Sequence, residues 1–406
     1  MRIIHTADWH LCEWVRQVDR TDDLTARVKL VADLCEEHRV DVLLIAGDLF
    51  SNDTLVTVEV MTEALIHLHD TFASFFTRGG IILAVTGNHD RDDRIEMLRA
   101  GMRLAAPTMG SRAFLPGRMY LLNRPYFGTF QAPAGDRAQF VLIPYPTTSR
   151  YAEQNDEFRS KDEENRVLQG RVAQEMQIAG SHPEFDQTLP TILAAHLHIR
   201  GAEVHSLYKL TERDDVLFDA GFLPTAWAYI GLGHIHKPQC LAGMPHVRYS
   251  GSLDRLNFDE CADEKGVVLL DLGPAGLLGE PVWLSIPATP MHDVAIIDAA
   301  AELPALAEQY PDHETAVVRL RVTHNPAGPS RHEITQELRR LFPRHAEIAW
   351  IKPDIPACDA TVSGFKPQSD YRTTIRDFLI SQLDGDPDKE DVLTLAEQFL
   401  TTEVVS

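Results

Sequence analysis

MRIIHTADWH (1–10), VDVLLIAGDLF (40–50) and GIILAVTGNHD (80–90) follow one pattern: a short apolar run that ends abruptly in a polar cluster. The runs are continuous, not alternating, which is how a strand reads when both faces of its sheet are covered. Between the first two, Leu24, Val28, Val31 and Leu34 recur at spacings of three and four, which predicts a helix. A second long helix is predicted over 58–76. The order β-α-β-α-β implies parallel strands joined by right-handed crossovers. In such open sheets ligands bind outside the carboxyl ends of the strands, where these polar clusters fall.

Working outward, strands are predicted at FVLIPYP (140–146), TILAAH (191–196), AYIGLGH (228–234), VRYSG (247–251) and GVVLLDL (266–272). Two of them again end in histidine. The whole reads as two packed sheets flanked by helices. Collected from the strand ends, the polar groups are Asp8, His10, Asp48, Asn88, His89, Asp90, His196, His234 and His236. Carboxylates, imidazoles and an amide without thiolate suit Mn²⁺, Fe or Zn²⁺, whereas calcium wants nearly all oxygen. Two such ions about 3.5–4 Å apart usually share a carboxylate, and Asp48 is the natural bridge. Gly47, Gly87 and Gly233 precede ligands and would let the backbone turn sharply. His198 makes HLH with His196 and stays a candidate on position alone, and His5 is expected to pack within its strand.

The chain has 406 residues, 44% hydrophobic and 24% charged, which predicts one large domain with something smaller attached. No signal peptide is readable, and no apolar run approaches the roughly 18 residues of a membrane span. Five cysteines without a CxxC pair read as reduced, mostly buried thiols in a cytoplasmic protein. Thirty-eight basic against sixty acidic side chains give −22, the wrong sign for gripping nucleic acid by overall field. A phosphodiester substrate would need metal ions, a local basic patch or a partner.

A Gly/Pro-rich stretch over 273–290 suggests a boundary, giving a domain at 1–285 and a small β-α-β domain at 286–355. In the latter, TAVVRLRV (315–322), a helix over 331–341 and AEIAWIKP (346–353) carry a local positive density: Arg319, Arg321, Arg331, Arg339 and Arg340. Residues 356–406 read as a linker and a helical hairpin (371–383 and 389–400). Three basic and nine acidic side chains over 369–406 favour a basic partner surface.

DWH, GDLF, GNHD, the lone His of AAHL, and GHIH, in that order, resemble the calcineurin-like metallophosphoesterases. MPHVRYSGSLDRLNFDE (244–260), behind GHIH, is similar to the branch of that superfamily that supplies nuclease subunits to SMC-like ATPase complexes in double-strand-break repair and recombination. The resemblance implies a four-layer αββα sandwich with a capping domain and a C-terminal hairpin that docks on the ATPase coiled coil. It places one metal on Asp8, His10 and His236 and the other on Asn88, His196 and His234, with Asp48 bridging. Mn²⁺ is the first choice, with Fe or Zn²⁺ as alternatives. By motif His89 is the catalytic histidine, stabilising or protonating the leaving oxygen, a task suited to a pKa near neutrality. Asp90 would tie down the loop that carries it. The implied activity is exonuclease and endonuclease cleavage of double-stranded DNA ends and hairpins by a nucleoid-associated homodimer, with the capping-domain arginines on DNA. Two departures stand out: Cys12 replaces a usual Gly, and Ser51 stands where some relatives carry a second histidine. A small-substrate phosphoesterase and a non-catalytic scaffold remain as alternatives.

Overall fold

The computed structural model describes residues 1–51, 56–105, 112–153, 156–205, 215–325 and 328–351, with Ile380 and Leu393. The chain divides into two compact units, Met1–Lys352 and Pro353–Ser406. The hairpin expected over 371–383 and 389–400 lies outside the described residues, those two positions apart.

The first four major strands, β1 (Arg2–Thr6), β2 (Val42–Ala46), β3 (Ile81–Val85) and β4 (Arg118–Leu122), lie parallel in that order. The chain then builds a second sheet, in which β5 (Tyr126–Gln131) runs antiparallel to β6 (Arg137–Ile143). Next to β6, β7 (Thr191–His196), β8 (Tyr229–Gly233) and β9 (Met244–Tyr249) add in parallel. It returns to the first sheet as β10 (Lys265–Gly273), antiparallel to β1, with β11 (Val282–Ile286) beyond it.

Side-chain alternation explains the continuous apolar runs. Ile3, Val42, Leu44, Ile81 and Leu83 face Phe140, Leu142, Ile192 and Ala194 of the other sheet. Their neighbours Ile4, Leu43, Ile45, Ile82 and Ala84 face outward against α1 (Thr21–Glu37) and α2 (Val58–Thr71). On the far side Val141, Ile143, Leu193, Ala195, Ile230 and Leu232 pack under a long helix, Lys161–Gly180, through its Leu168, Val172 and Met176. Both faces of each sheet are therefore buried, and the layers run helix, sheet, sheet, helix. Among the described residues no helix is long and apolar enough to cross a membrane.

The structure departs from the sequence reading in places. The helix expected over 58–76 ends at Thr71, because Phe72 takes φ −98° and ψ 9°, and a separate turn covers Ala73–Thr77. The strands β4, β5 and β11 were not anticipated; β4 and β11 are only partly buried and lack a clean apolar run. Cys12 and Cys35 are buried thiols, but Cys240 is exposed.

Beyond β11 a third sheet forms from β12 (Met291–Ile296), β13 (Val317–Thr323) and β14 (His345–Ile351), all parallel with β13 central. β12 was also missed. The helix Arg331–Leu341 crosses from β13 to β14, started by a capping box between Ser330 and Glu333. Its Ile334 and Leu338 close a core with Val294, Val318, Leu320 and Phe342. This sheet belongs to the same compact unit as the two large ones.

A buried ion pair ties the linker before β12 to the large sheets. Asp254, fully buried, accepts from Arg20 Nη2 at 3.0 Å and from the backbone N–H of Thr289 at 2.8 Å. Arg20 also donates to Asp23 at 2.6 Å, and Asp23 accepts from Arg344 at the foot of β14. Removing one partner of such a pair strands a buried charge, which costs about 3–5 kcal/mol. Asp254→Ala is therefore expected to lower the denaturant midpoint by that order and to open residues 287–290 to limited proteolysis. Unchanged stability and cleavage would contradict this role for the pair.

Candidate metal centre

The carboxyl ends of β1, β2 and β3 meet those of β7 and β8 across the inter-sheet core. The backbone there is held tightly: Asp8 N–H donates to Gly47 O and His10 N–H to Asp48 O, both at 3.0 Å. Asp8 (φ 51°), His10 (φ 45°), Asp48 (φ 50°) and His234 (φ 94°) all lie in the left-handed region. For a non-glycine residue that costs about 1–3 kcal/mol, and such strain collects at functional sites. Cys12 also has positive φ (68°), so its position requires a left-handed residue, the conformation that favours glycine.

The glycines differ in purpose from the expectation. Only Gly47 has positive φ (100°). A Cβ at Gly87 would overlap the Asp48 carboxylate, and one at Gly233 would overlap Ala46 O. Those two are needed for close approach of neighbouring chain segments, not for a turn.

Three donors converge at one point. His196 Nδ1 lies 2.7 Å from Ala46 O, an acceptor only, so the ring carries its proton there. That leaves the Nε2 lone pair directed at Asn88 Oδ1, 3.0 Å away. His234 Nε2 lies 2.7 Å from the Asp215 carboxylate, which leaves Nδ1 facing the same amide oxygen at 3.0 Å. Two imidazole lone pairs and a carbonyl oxygen repel one another unless a proton or a metal cation sits between them.

A second point lies alongside. Donor atoms of Asp8, His10 and His236 fall within 4.8 Å of one another. His10 Nε2 is buried without a hydrogen-bond partner, 3.5 Å from Asp48 Oδ2. The same carboxylate oxygen is 3.4 Å from His196 Nε2, so Asp48 stands between the two points. Burial by itself would lower the pKa of His196 and His10. Asp48 and Asp8 outweigh it for His196, and Glu13, Asp48 and Asp8 for His10, lifting both to about 9. The pocket thus demands positive charge, and its nitrogen and oxygen donors fit two divalent ions of the Mn²⁺, Fe or Zn²⁺ kind.

His89 sits at the rim with its ring 4.6 Å from that of His10 and its backbone N–H on Asp48 Oδ1 at 2.8 Å. Burial lowers its pKa to about 4; Asp48 opposes this, while the neighbouring His10 and His236 lower it further. It is a neutral imidazole at neutral pH, below the near-neutral value expected from its motif. Asp90 is buried and accepts from the N–H groups of Gly87 (2.9 Å), Phe50 (2.9 Å) and Leu49 (3.2 Å), joining the two ligand loops.

Sequence reasoning missed the groups behind these residues. Arg150 is buried and clamps the GNHD loop through Gly87 O and Asp90 O, both at 2.8 Å. Glu260 holds His236 Nδ1 at 2.9 Å and is itself paired with buried Lys265 at 2.7 Å. Glu260 closes the MPHVRYSGSLDRLNFDE segment, the one available signal. Glu13 lies 3.4 Å from His10 Nδ1, and Asp215 serves His234 and His198. His198 is behind the site, and His5 packs between the sheets against the Tyr229 hydroxyl at 2.9 Å.

The arginines singled out on the third sheet are mostly engaged. Arg319 and Arg321 both pair with Asp293, Arg340 with Glu337, and Arg331 lies over the Trp350 ring. Arg339 ends its helix in the last turn, where a cation suits the helix dipole.

Because a methyl at position 87 would displace the Asp48 carboxylate, Gly87→Ala is expected to keep its circular-dichroism spectrum while weakening Mn²⁺ binding at least tenfold by calorimetry. Unaltered affinity would sink the close-approach argument.

A family model described as calcineurin-like phosphoesterase matches residues 1–238. Among curated proteins, the chain is 30% identical over 283 residues to the D subunit of the SbcCD nuclease of Rhodobacter capsulatus, covering 67% of this chain and 66% of that one. The protein of the same name from Escherichia coli K12 is 29% identical over 331 residues, 77% of this chain and 74% of the relative. The Bacillus subtilis protein of that name is 27% identical over 293 residues, covering 70% and 69%. Taken with the strand-end cluster, these matches show that the chain belongs to the calcineurin-like phosphoesterase family and, within it, resembles the D subunits of SbcCD nucleases.

Proposed function

We propose that the chain is a metal-dependent DNA nuclease, the hydrolytic subunit of a complex with an SbcC-type SMC-like ATPase. The observation that carries this is the convergence of Asn88, His196 and His234 beside Asp8, His10 and His236, with Asp48 between them. In this reading the former three hold one ion, the latter three hold the other, and Asp48 is shared. When bound, the ions supply Lewis-acid activation and neutralise charge developing on the phosphoryl group.

The protein's own groups do the rest. Asp90 and Arg150 fix the loop that carries Asn88 and His89. Each metal-facing imidazole has its second nitrogen held by an acceptor, which sets which lone pair is offered. His89, neutral in the pocket, can give an N–H to an oxygen of the scissile phosphate, and its low pKa makes the protonated form a strong acid for the leaving oxygen.

The name shared by the three relatives supports a nuclease that is one subunit of a larger complex. In this reading the substrate is DNA ends and hairpins, cut by exonuclease and endonuclease action, and residues 356–406 dock on the partner ATPase. The charge of −22 supports the same division of labour. With Arg319 and Arg321 spent on Asp293 and Arg340 on Glu337, positive potential for DNA would come from the ions, from Arg331 and Arg339, and from the partner. A homodimer, Mn²⁺ as native metal and a cytoplasmic, nucleoid-associated location complete the reading.

The test is cleavage of linear and hairpin duplex DNA by wild type and His89→Ala, with Mn²⁺ or chelator, alone and with the ATPase. Mn²⁺-dependent cleavage that falls by about 10²–10⁴ in the variant is expected, the usual weight of a general acid. Hydrolysis of a bis-aryl phosphate ester with no action on DNA would move the substrate to small phosphoesters. Equal activity of the complex with and without Asp48→Asn would leave only a scaffold.

A further inference from the structure

We propose that Asp215 is a positioning residue for the ion facing Asn88, His196 and His234, fixing the tautomer and tilt of His234 so that Nδ1 is the nitrogen offered to metal. The inference rests on the two-ion reading and goes beyond its ligand set.

A neutral imidazole has one N–H and one lone pair. Were the proton on His234 Nδ1, it would point at Asn88 Oδ1, 3.0 Å away, and the ring would offer nothing to a cation there. The Asp215 carboxylate accepts only, and it sits 2.7 Å from Nε2. It therefore pulls the proton to the far side of the ring, as acceptors behind metal-bound histidines commonly do. Ala46 O performs the same service for His196 and Glu260 for His236.

Asp215 is suited to the task because it is itself fixed. Its side chain is only 7% exposed. The Tyr145 hydroxyl donates to Oδ1 at 2.8 Å, as does the backbone N–H of Val216, and His198 Nδ1 donates to Oδ2 at 2.9 Å. These donors fix the orientation of the carboxylate. Tyr145, His198 and His234 follow β6, β7 and β8, three neighbouring parallel strands. One carboxylate thus stitches the carboxyl ends of all three. The Tyr145 ring also lies 5.3 Å from His234, tilted by 31°, and edge-on to His196 at 5.9 Å, so it walls the two imidazoles of this ion.

Asp215→Asn keeps the shape but offers an amide that can turn an N–H toward His234, favouring the wrong tautomer. The experiment titrates Mn²⁺ into the full-length protein by calorimetry and follows the spin-coupled Mn²⁺ pair by electron paramagnetic resonance. Wild type is expected to bind two ions and show the coupled signal. In Asp215→Asn the first ion should bind as before, the second at least tenfold more weakly, with the coupled signal lost at low Mn²⁺ and recovered at high Mn²⁺. DNA cleavage should follow: a raised Mn²⁺ requirement with nearly unchanged maximal rate. Tyr145→Phe keeps the ring and removes one donor, so a smaller shift of the same kind is expected; it also serves if Asp215→Asn fails to fold. A purely structural role would lower the melting temperature and leave both affinities unchanged, which would overturn the proposal. Wild type binding fewer than two ions would instead overturn the two-ion reading, and this inference with it.

Discussion

The carbonyl of Ala46 ends a strand of one sheet and receives the Nδ1–H of His196, which ends a strand of the other, at 2.7 Å. This bond fixes how closely the two sheets approach at their carboxyl edges, and everything at the site is arranged around it. Gly233 lies against the same carbonyl because nothing with a Cβ fits there. Gly47 passes the His196 ring for the same reason. With the edges held this near, residues from both sheets reach one small volume, and four of them accept left-handed backbone to do so. The strain is carried by a scaffold whose sheets are buried on both faces, where a domain has stability to spare.

Much of the fold was legible because the chain repeats one motif. An apolar run too continuous for a half-exposed strand, ended by a polar residue, marks a buried strand and its functional end together. Asp8, Asp48, Asn88, His196 and His234 could be picked out individually because each immediately follows such a run. What hid was whatever acts from another part of the chain. Asp215 stands outside the regular elements and Glu260 ends a short 3₁₀ turn (Phe258–Glu260); neither has an apolar run before it, and their meaning lies in which imidazole nitrogen they face. The strands Arg118–Leu122 and Val282–Ile286 sit at sheet margins, where partial burial erases the apolar signature. The break at Phe72 is a tertiary effect, since the ring is buried in the core where α2 ends. Gly87 and Gly233 look like turn residues in the sequence, yet their reason is a neighbour in space, which sequence does not display.

The electrostatics of the site run against the rest of the molecule. A chain with a large negative charge concentrates Asp8, Asp48 and Glu13 in a pocket that water hardly enters; the imidazoles of His10 and His196 respond by rising above their ordinary pKa, while burial holds those of His89 and His234 below it. Histidine serves well here because it can take a proton, or offer a lone pair to metal, without changing shape. The third sheet shows the opposite economy: its arginines are largely balanced by local carboxylates, so its positive charge is mostly internal.

The path of the chain through the sheets has a consequence for biosynthesis. β1, the second residue onward, pairs with β2 on one side and on the other with β10, made some 260 residues later. The clustered nitrogen and oxygen donors are spread from Asp8 to His236 in the same way. A nascent chain can lay down β1 to β4 early, but the first sheet stays open at β1, and the cluster lacks its last two histidines, until most of the large domain has left the ribosome. Pairings so distant in sequence form slowly. The hydrolytic centre is thus among the last features of its domain to exist, and a prematurely terminated chain is born without it.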